Sequence, residues 1–486
     1  MLSRCSTKEN YKWYALSCTT LGALLSALNA NTLLIALPVI TRALHASLEI
    51  IIWTLMIYML AVTVLVPAIG RVADIVGRKK LYVSGFALFT LASLLCGLVQ
   101  SGAQLVAARF IQAVGGSLIM ANSTAIVTDA FPKNQLGRAL GINAVAIGAG
   151  SVIGPILGGI LTSWHWRYIF FFNVPLGIIG TLWAAVQLRE IIELPEGQHF
   201  DWLGTSVFTF GFTLILLALT FGNMAGWKTP WITASLIVGG LFLLLFVYIE
   251  GRVNQPMLDF SLFRQRLLVA AYASIFLNGI ARGAVTFLLT FFLQGIRGVD
   301  PLWAGILLAP FALVMMVVAP LSGILSDRYG SRELSSLGLA VSAIGIYGLT
   351  RLQVNTPVTL LILWMIIIGL GSGFFFSPNT NAIMGAVSPE RRGIAAGTRT
   401  MMNNAGMVVS IALGMAMTVS SMTPEALQGL LAGTQVGSRG IAVQEFIIGL
   451  HRAFWFSFII SVVAAIIAFL RGPHEVHCSE TSPGKG

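Results

Sequence analysis

The stretch GRVADIVGRKK, residues 70–80, has a counterpart in GILSDRYGSR, residues 323–332. Both follow the frame G-x-x-x-D-x-x-G-x-[RK], and each stands between two long apolar blocks. One short Gly/Asp/Arg segment of this kind would be weak evidence by itself. Two copies at equivalent positions predict a chain built from two related halves, an arrangement common among membrane transporters.

The composition around these stretches excludes a soluble protein. Of the 486 residues, 56% are hydrophobic and only 10% are charged, whereas soluble domains carry about 25% charged residues. The mean hydropathy is +0.86. A chain of this kind has too little polar material to cover a water-facing surface.

The apolar residues form about fourteen blocks of roughly 20 residues, each long enough to cross about 30 Å of hydrocarbon as a helix. The blocks are unbroken and lack the period-two alternation of barrel strands. The sequence therefore predicts an all-α integral membrane protein with about 14 transmembrane helices. We expect the first block to remain in the protein as a transmembrane helix and not to be cleaved as a signal peptide, because no small-residue cleavage site follows it.

The positive charges predict the orientation. Most lysines and arginines fall on one side of the membrane when the N-terminus is cytoplasmic. The clusters on that side are Arg78, Lys79 and Lys80, then Arg252, Arg264 and Arg266, then Arg391 and Arg392. We therefore expect a multi-pass protein of the plasma membrane with both termini in the cytoplasm. The net charge of +11 is then a topology signal, and no nucleic-acid partner is expected.

Three further stretches carry a family resemblance. They are RFIQAVGG at 109–116, GSVIGPILGG at 150–159, which matches G-x-x-x-G-P-x-x-G-G at every position, and WHWRYIFFFNVPLG at 164–177. With the repeated frame, they resemble the major facilitator superfamily, in particular its fourteen-helix drug/proton antiporter branch (EmrB/QacA type). The likeness runs from about Leu28 to about Gly406. It implies the major facilitator fold, with two six-helix bundles, two extra helices between them, and alternating access to a midplane site.

The expected organisation has five parts. These are a cytoplasmic tail (1–12), an N-terminal six-helix bundle (13–188), two additional helices with linkers (189–266), a C-terminal six-helix bundle (267–470) and a cytoplasmic tail (471–486).

The resemblance implies that the repeated frame is a latch between the two halves. Its expected residues are Gly70, Asp74, Gly77, Arg78, Asp327 and Arg328. Asp74 is expected at a helix end, where a carboxylate stabilises exposed N–H groups. Ile75 stands where the family often has Arg, so the first latch is expected to be weaker than usual. The alternative interpretation is a tight turn with topology-setting charge.

The stretch at 150–159 is the antiporter motif of the fifth helix in the resembled branch. Its glycines fall on nearly one face and allow helices to approach backbone to backbone, while the proline bends the helix. The residues concerned are Gly150, Gly154, Pro155, Gly158 and Gly159. The resemblance implies a bendable, sealed interface typical of exchangers. Ordinary helix packing is the alternative.

Arg109 is a cation inside a span, which predicts a functional role because its burial is costly. The resemblance implies that it belongs to proton coupling beside a helix-1 carboxylate, with Gln112 in support. LNANTLLIALP, residues 28–38, aligns with the helix-1 pattern, but Asn29 stands at the Asp position. An amide cannot bind and release a proton near neutral pH. Either a boundary acid such as Asp129 reaches in, or coupling is unusual, or there is none.

Arg282 lies about halfway through its apolar block, and Arg399 lies in the first turns of a later one. With Arg109 they make three embedded cations and no mid-membrane acid to match. Antiporters of cationic drugs rely on embedded acids, so we expect a neutral or anionic substrate. Arg282 is the leading contact, and the other candidates are Asn29, Asn31, Asn278 and Phe375. The alternatives are a snorkelling arginine, bridging amides and a packed Phe stripe.

Together these features predict a secondary transporter that exports small lipophilic compounds in the manner of multidrug efflux, with or without proton coupling. The alternative is a lipid carrier, or a carrier of anionic or neutral metabolites, on the same fold; a non-transporting membrane sensor is a third. We expect no enzyme, because no cluster of His, Ser or carboxylates lies at one depth. We also expect no cofactor and no metal, because the four cysteines have no ligand spacing. In the bilayer we expect a monomer.

Overall fold

The computed structural model describes residues 2–190, 201–253, 263–387, 392–422 and 440–471. Within these ranges the chain forms fifteen α-helices and no strand. The helices are α1 (Leu2–Ala43), α2 (Leu48–Val76), α3 (Arg78–Leu98), α4 (Gly102–Ala130), α5 (Lys133–Trp164), α6 (Tyr168–Phe171), α7 (Asn173–Gln187), α8 (Trp202–Ala225), α9 (Pro230–Glu250), α10 (Arg266–Phe291), α11 (Pro301–Tyr329), α12 (Ser331–Leu349), α13 (Val358–Gly385), α14 (Arg392–Val419) and α15 (Gly440–Phe469). A π-helical turn, Phe292–Ile296, follows α10.

Thirteen helical segments of the described chain are long and apolar enough to cross a membrane. The short α6 and α7 form one of them, Tyr168–Gln187. Helix α12 is less apolar, but it packs against α13 and α15 as a further member of the bundle. The predicted all-α fold with about fourteen spans is therefore confirmed. We call the end that carries Arg78, which the charge pattern predicts to be cytoplasmic, the inner end, and the opposite end the outer end.

The helices pack as two bundles with an added pair. Helices α1 to α7 pack on one another, α10 to α15 form a second set, and α8 packs on α9 and against α2 and α14. The two bundles meet where α5 packs against α11 and α2 against α14. The helix order thus places the extra pair between the two bundles in sequence and beside them in space.

The repeated frame forms tight helix breaks rather than loops. Helix α2 continues to Val76 and α3 begins at Arg78, so the loop expected over 70–80 is reduced to Gly77. Gly77 has a φ of 112°, and Gly330, between α11 and α12, has a φ of 86°. Only glycine adopts such angles without strain. The second glycine of each frame therefore ends one helix and starts the next within a single residue.

The apolar core joins the two halves mainly toward the outer end. One cluster there contains residues of both halves, among them Leu37 and Leu60 from the first and Leu289 and Ile411 from the second. Toward the inner end the larger clusters each belong to one half. Among the described side chains, smaller apolar clusters also join the halves where α2 packs on α14 and α5 on α11. The arrangement is closed at the outer end.

Candidate functional site

Asn29 lies at the centre of a buried polar cluster in the N-terminal half, which we call the Asn29 network. Its Oδ1 accepts hydrogen bonds from Arg109 Nη1 at 3.3 Å, Gln112 Nε2 at 3.2 Å and Asn173 Nδ2 at 3.3 Å. Only 1% of Asn29 is exposed. Three donors on one oxygen fix the orientation of the amide. A carboxylate oxygen would accept the same three bonds.

The partners of Arg109 among the described residues are all neutral groups. Its Nε donates to the Thr54 carbonyl oxygen at 3.3 Å, and its Nη1 also donates to Gln112 Oε1. The guanidinium carbon lies 4.4 Å from the centroid of the Tyr58 ring, a cation–π geometry. Arg109 is 1% exposed. Burial of this cation is tolerated because its Nε and Nη1 groups are hydrogen-bonded, although none of the described carboxylates bonds to it.

Two members of the network were not predicted. Asn173 begins α7 and also donates to the Ile169 carbonyl at 3.2 Å, while Gln112 Nε2 donates to Ser93 Oγ at 2.7 Å. The predicted group of Asn29, Arg109 and Gln112 is brought together by the structure. A signal for Asn173 was available, because an amide in the apolar run FFFNVP has no solvent to bond.

Asp129 is remote from this network. It lies twenty residues after Arg109 on α4, about 30 Å along the helix, and it forms an ion pair with Arg78 at the inner end. In the part of the chain that the structure describes, no carboxylate hydrogen-bonds to Arg109. This geometry disfavours one of the three alternatives for proton coupling, in which Asp129 reaches into the membrane to Arg109.

Arg282 is the second embedded cation, half-buried midway along α10. Its Nη1 lies 3.7 Å from the sulfur of Met315, and its guanidinium carbon lies 4.8 Å from the Phe376 ring centroid and 5.4 Å from that of Phe311. Among the described residues it has no oxygen acceptor. Because guanidinium N–H groups need acceptors, this environment favours binding of a ligand that brings an oxygen to Arg282.

Other polar groups of the C-terminal half are also without partners. Arg399 Nε, Asn278 Nδ2 and Asn403 Oδ1 are buried and make no hydrogen bond within the described ranges. Asn278 is 2% exposed. Such groups are uncommon in folded proteins. The N-terminal half has such atoms as well, among them Asn29 Nδ2 and Asn122 Oδ1, but there the predicted residues Asn29, Arg109 and Gln112 also bond to one another.

The predicted substrate residues do not form one group. Asn31 Nδ2 donates to the Ala27 carbonyl of its own helix at 2.7 Å. Phe375 is fully buried in a core cluster, and the neighbouring Phe376 is the ring that faces Arg282. Asn29 and Arg282 share no contact residue among those described. The structure therefore places the two polar sites apart, one inside each half.

The antiporter motif brings three helices close together. Its first three glycines face α1 and the last faces α11: Gly150, Gly154, Gly158 and Gly159. A Cβ atom on Gly158 would come within 2.8 Å of Thr32 Cα, and one on Gly159 within 2.4 Å of Leu302 Cα. The predicted backbone approach is therefore present, but the glycines do not share one face, because Gly159 contacts α11 and not α1. The exchange role attached to this motif stays a prediction.

The inner end of α3 is capped by a residue that the sequence analysis did not single out. Glu190, after α7, accepts hydrogen bonds from the backbone N–H groups of Arg78 at 2.8 Å and Lys79 at 3.1 Å. This is the helix-start role expected of Asp74. The side chains of Asp74, Asp327 and Arg328 lie outside the described part of the chain, and the predicted latch role is untested.

Comparison with known sequences identifies relatives along most of the chain. The family model described as Major Facilitator Superfamily matches residues 19–410 and 271–485. The chain is 33% identical over 406 residues to the riboflavin transporter RibZ of Clostridioides difficile (strain 630), covering 83% of this chain and 87% of that protein. It is 29% identical over 397 residues to multidrug resistance protein 3 of Bacillus subtilis (strain 168), covering 81% of this chain and 77% of that protein.

Solved structures share the fold. A bacterial homolog of the human lysosomal transporter Spinster superposes with a TM-score of 0.65 at 18% identity, covering 95% of this chain and 97% of that chain. The human organic anion transporter MFSD10 gives a TM-score of 0.60 at 15% identity, covering 93% of this chain and 99% of that chain.

Proposed function

The chain belongs to the Major Facilitator Superfamily, and from that premise we propose that it exports small lipophilic compounds that are neutral or anionic. Transport proceeds by alternating access, with the two bundles rocking about a midplane site. The protein is a multi-pass membrane transporter of this superfamily. Its substrate class, direction and coupling are the proposed part.

The main support for the proposed substrate class is the environment of Arg282. Its guanidinium has a sulfur atom and two phenyl rings around it and no oxygen acceptor among the described residues. A lipophilic ligand with a carbonyl, phenolate or carboxylate oxygen would supply the missing hydrogen bonds. Its apolar part would pack on Phe311 and Phe376. A permanent cation would be repelled by Arg282.

The coupling proposal concerns Asn29. Its amide takes the three bonds that a carboxylate would take, and Arg109 is bonded to neutral acceptors. No group of the Asn29 network can then exchange a proton near neutral pH. We propose that a proton gradient does not drive transport through helix α1.

The fourteen-helix branch and the orientation are also proposals. The pair α8 and α9, which packs beside the bundles, supports that branch. The basic clusters at the inner end support cytoplasmic termini, and the bacterial relatives support the plasma membrane.

A second candidate is a carrier of neutral or anionic metabolites. It is favoured by the 33% identity to a riboflavin transporter together with the loss of a helix-1 acid at Asn29. Both candidates share the Arg282 site and differ in how many substrates it accepts. A lipophilic exporter would carry several unrelated compounds, and a metabolite carrier would carry one.

Transport by the full chain in proteoliposomes tests these proposals. We compare ethidium as a permanent cation, riboflavin as a neutral planar compound, and a carboxyfluorescein dye as an anion. We expect transport of neutral or anionic compounds and little transport of ethidium. Arg282→Gln should reduce that transport by about tenfold or more, because a hydrogen bond to a charged group contributes about 1.5–3 kcal/mol.

Arg252→Gln is the matched control, since Arg252 lies just after α9 at the inner end and stacks on Tyr248. It removes the same charge far from the site and should leave transport unchanged. Efficient ethidium transport without transport of either other compound would overturn the substrate proposal. Equal transport by wild type and Arg282→Gln would show that Arg282 does not bind the substrate.

A further inference from the structure

A groove on the lipid-facing surface lies away from both polar sites. It runs between α14 and α15 near the outer end and has a volume of about 580 Å³. Met417 forms its α14 side, and one stripe of α15 from Ile448 to Ile459 forms the rest. Ile448 and Ile459 are exposed. We call it the α14–α15 groove.

The groove carries two basic side chains at its outer part. Arg452 is exposed, and its Nη1 donates to Ser421 Oγ at 2.9 Å. His451 Nε2 lies 2.6 Å from the Leu352 carbonyl oxygen. Ser421 and Leu352 lie two and three residues beyond the outer ends of α14 and α12. Because two helices end at this level, Arg452 lies at the outer boundary of the membrane-embedded part.

The spacing of Arg452 and Arg471 supports the same depth. Arg471 lies nineteen positions after Arg452 and two residues beyond the end of α15, a rise of about 28 Å that matches a hydrocarbon core of about 30 Å. Arg471 bonds to Asn379 Oδ1 and Ser335 Oγ at the inner end. Burial lowers the pKa of Arg471 to about 10, so it remains charged at neutral pH. The two arginines thus bracket the hydrocarbon.

Apolar and aromatic groups continue from Arg452 into the membrane. Trp455 and Ile459 lie one and two turns deeper on the same stripe. The Trp455 ring lies 5.7 Å from that of Tyr347, whose hydroxyl accepts a 3.0 Å hydrogen bond from Arg351. This face therefore has a second arginine at the same level. Glu445 lies two turns above Arg452 toward water, about 10 Å along the helix.

We propose that the α14–α15 groove binds one anionic phospholipid of the outer-end leaflet, with its phosphate on Arg452 and an acyl chain along Trp455 and Ile459. An exposed guanidinium at the edge of the hydrocarbon is stabilised by an anionic headgroup. Guanidinium–phosphate pairs are strong and directional. The apolar stripe runs from Arg452 toward the centre of the membrane, as the acyl chain of a lipid with its phosphate on Arg452 would. The site is separate from the transport site and does not depend on the proposed function.

Lipid binding to the purified full chain tests this site. Native mass spectrometry and thermal unfolding compare phosphatidylglycerol with phosphatidylcholine, added to protein in a neutral detergent. We expect wild type to prefer phosphatidylglycerol. Arg452→Gln should weaken phosphatidylglycerol binding about fivefold, because one basic residue near an anionic headgroup contributes about 1 kcal/mol. Phosphatidylcholine binding should weaken less, because its choline cation offsets the charge of its phosphate.

Arg42→Gln is the matched control. Arg42 is exposed at the outer end of α1, where its Nε donates to the Pro38 carbonyl. This variant should keep the preference of wild type. Equal binding of the two lipids to wild type, a preserved preference in Arg452→Gln, or an equal loss in Arg42→Gln would each overturn the site. A dimer that carries no lipid at this groove would also overturn it, in favour of a second copy as occupant.

A fluorescence measurement does not depend on the folding of Arg452→Gln. Phosphatidylglycerol with brominated acyl chains should quench wild type more than Trp455→Phe, since Trp455 lines the groove. Brominated phosphatidylcholine should give a smaller difference between the two proteins. Equal differences for the two lipids would contradict selection by Arg452.

Discussion

At the scale of single residues, the Asn29 network accommodates a neutral amide in a place that suits a carboxylate. Asn29 Oδ1 accepts three hydrogen bonds, and each donor, Arg109, Gln112 or Asn173, belongs to a side chain with other bonds of its own. The donors are therefore held in place without a negative charge between them. A change from amide to carboxylate would need little movement of the surroundings.

Asn29→Asp should make transport depend on a proton gradient. The new carboxylate would lie within 3.3 Å of Arg109 Nη1 and would be the one ionisable acid of the network. Transport in proteoliposomes with and without an imposed pH gradient measures the effect. Asn31→Asp is the control, because Asn31 bonds only to its own helix at Ala27. If wild type is already strongly gradient-driven, the amide at Asn29 has not removed coupling.

Asn173→Leu should lower stability through the same network. The substitution removes the bonds to Asn29 Oδ1 and to the Ile169 carbonyl, and we expect a loss of about 1–3 kcal/mol in the free energy of unfolding. Thermal unfolding in detergent measures it as a lower midpoint. Asn122→Leu is the control, since Asn122 is also buried but bonds only to Leu118 of its own helix. A similar loss in both variants would assign the effect to burial of an amide in general.

At the scale of helices, the sequence predicted the helix breaks, because their pattern repeats. It did not predict contacts between residues that are far apart in the chain. The two frames predicted equivalent positions, and the breaks at Gly77 and Gly330 follow because only glycine takes those angles easily. The sequence predicted a longer loop than the single residue Gly77, because the polar residues after an apolar block continue the helix. The cap from Glu190 joins residues more than a hundred positions apart. No local pattern in the sequence indicates such a pairing.

Gly159→Ala should open the outer end. The added methyl group would lie 2.4 Å from Leu302 Cα in the opposite half, and backbone at that distance must move apart. A cysteine at Ala304, which is fully buried, reports the opening in a background without native cysteines. We expect an impermeant maleimide to label it about fivefold faster or more, since overpacking costs about 1–3 kcal/mol.

Gly240→Ala is the matched control for Gly159→Ala. A Cβ atom on Gly240 meets nothing within 4 Å, so the same substitution should leave labelling at position 304 unchanged. Unchanged labelling in Gly159→Ala as well would mean that α5 and α11 adjust without separating. In that case the tight glycine approach would be packing alone.

At the scale of the whole molecule, the two halves are joined unequally. The outer end has a shared apolar cluster, whereas the larger inner clusters each belong to one half. Gln294, in the π-helical turn after α10, adds a polar link, since its Nε2 donates to the Ile35 carbonyl of α1 at 3.1 Å. The free energy that keeps the outer end closed therefore includes one buried hydrogen bond between halves.

Gln294→Ala should shift the molecule toward an outward-open form. Loss of the bond to Ile35 removes about 1 kcal/mol from the closed form alone, which is about a fivefold change in the ratio of closed to open molecules. Spin labels at His165 and Val354, on the outer ends of opposite halves, measure it as a larger fraction of long distances. Gln353→Ala is the control, because the hydrogen bonds that the structure gives for Gln353 use only its backbone N–H and C=O, both with Thr356. An unchanged distance distribution in Gln294→Ala would mean that the apolar cluster alone keeps the outer end closed.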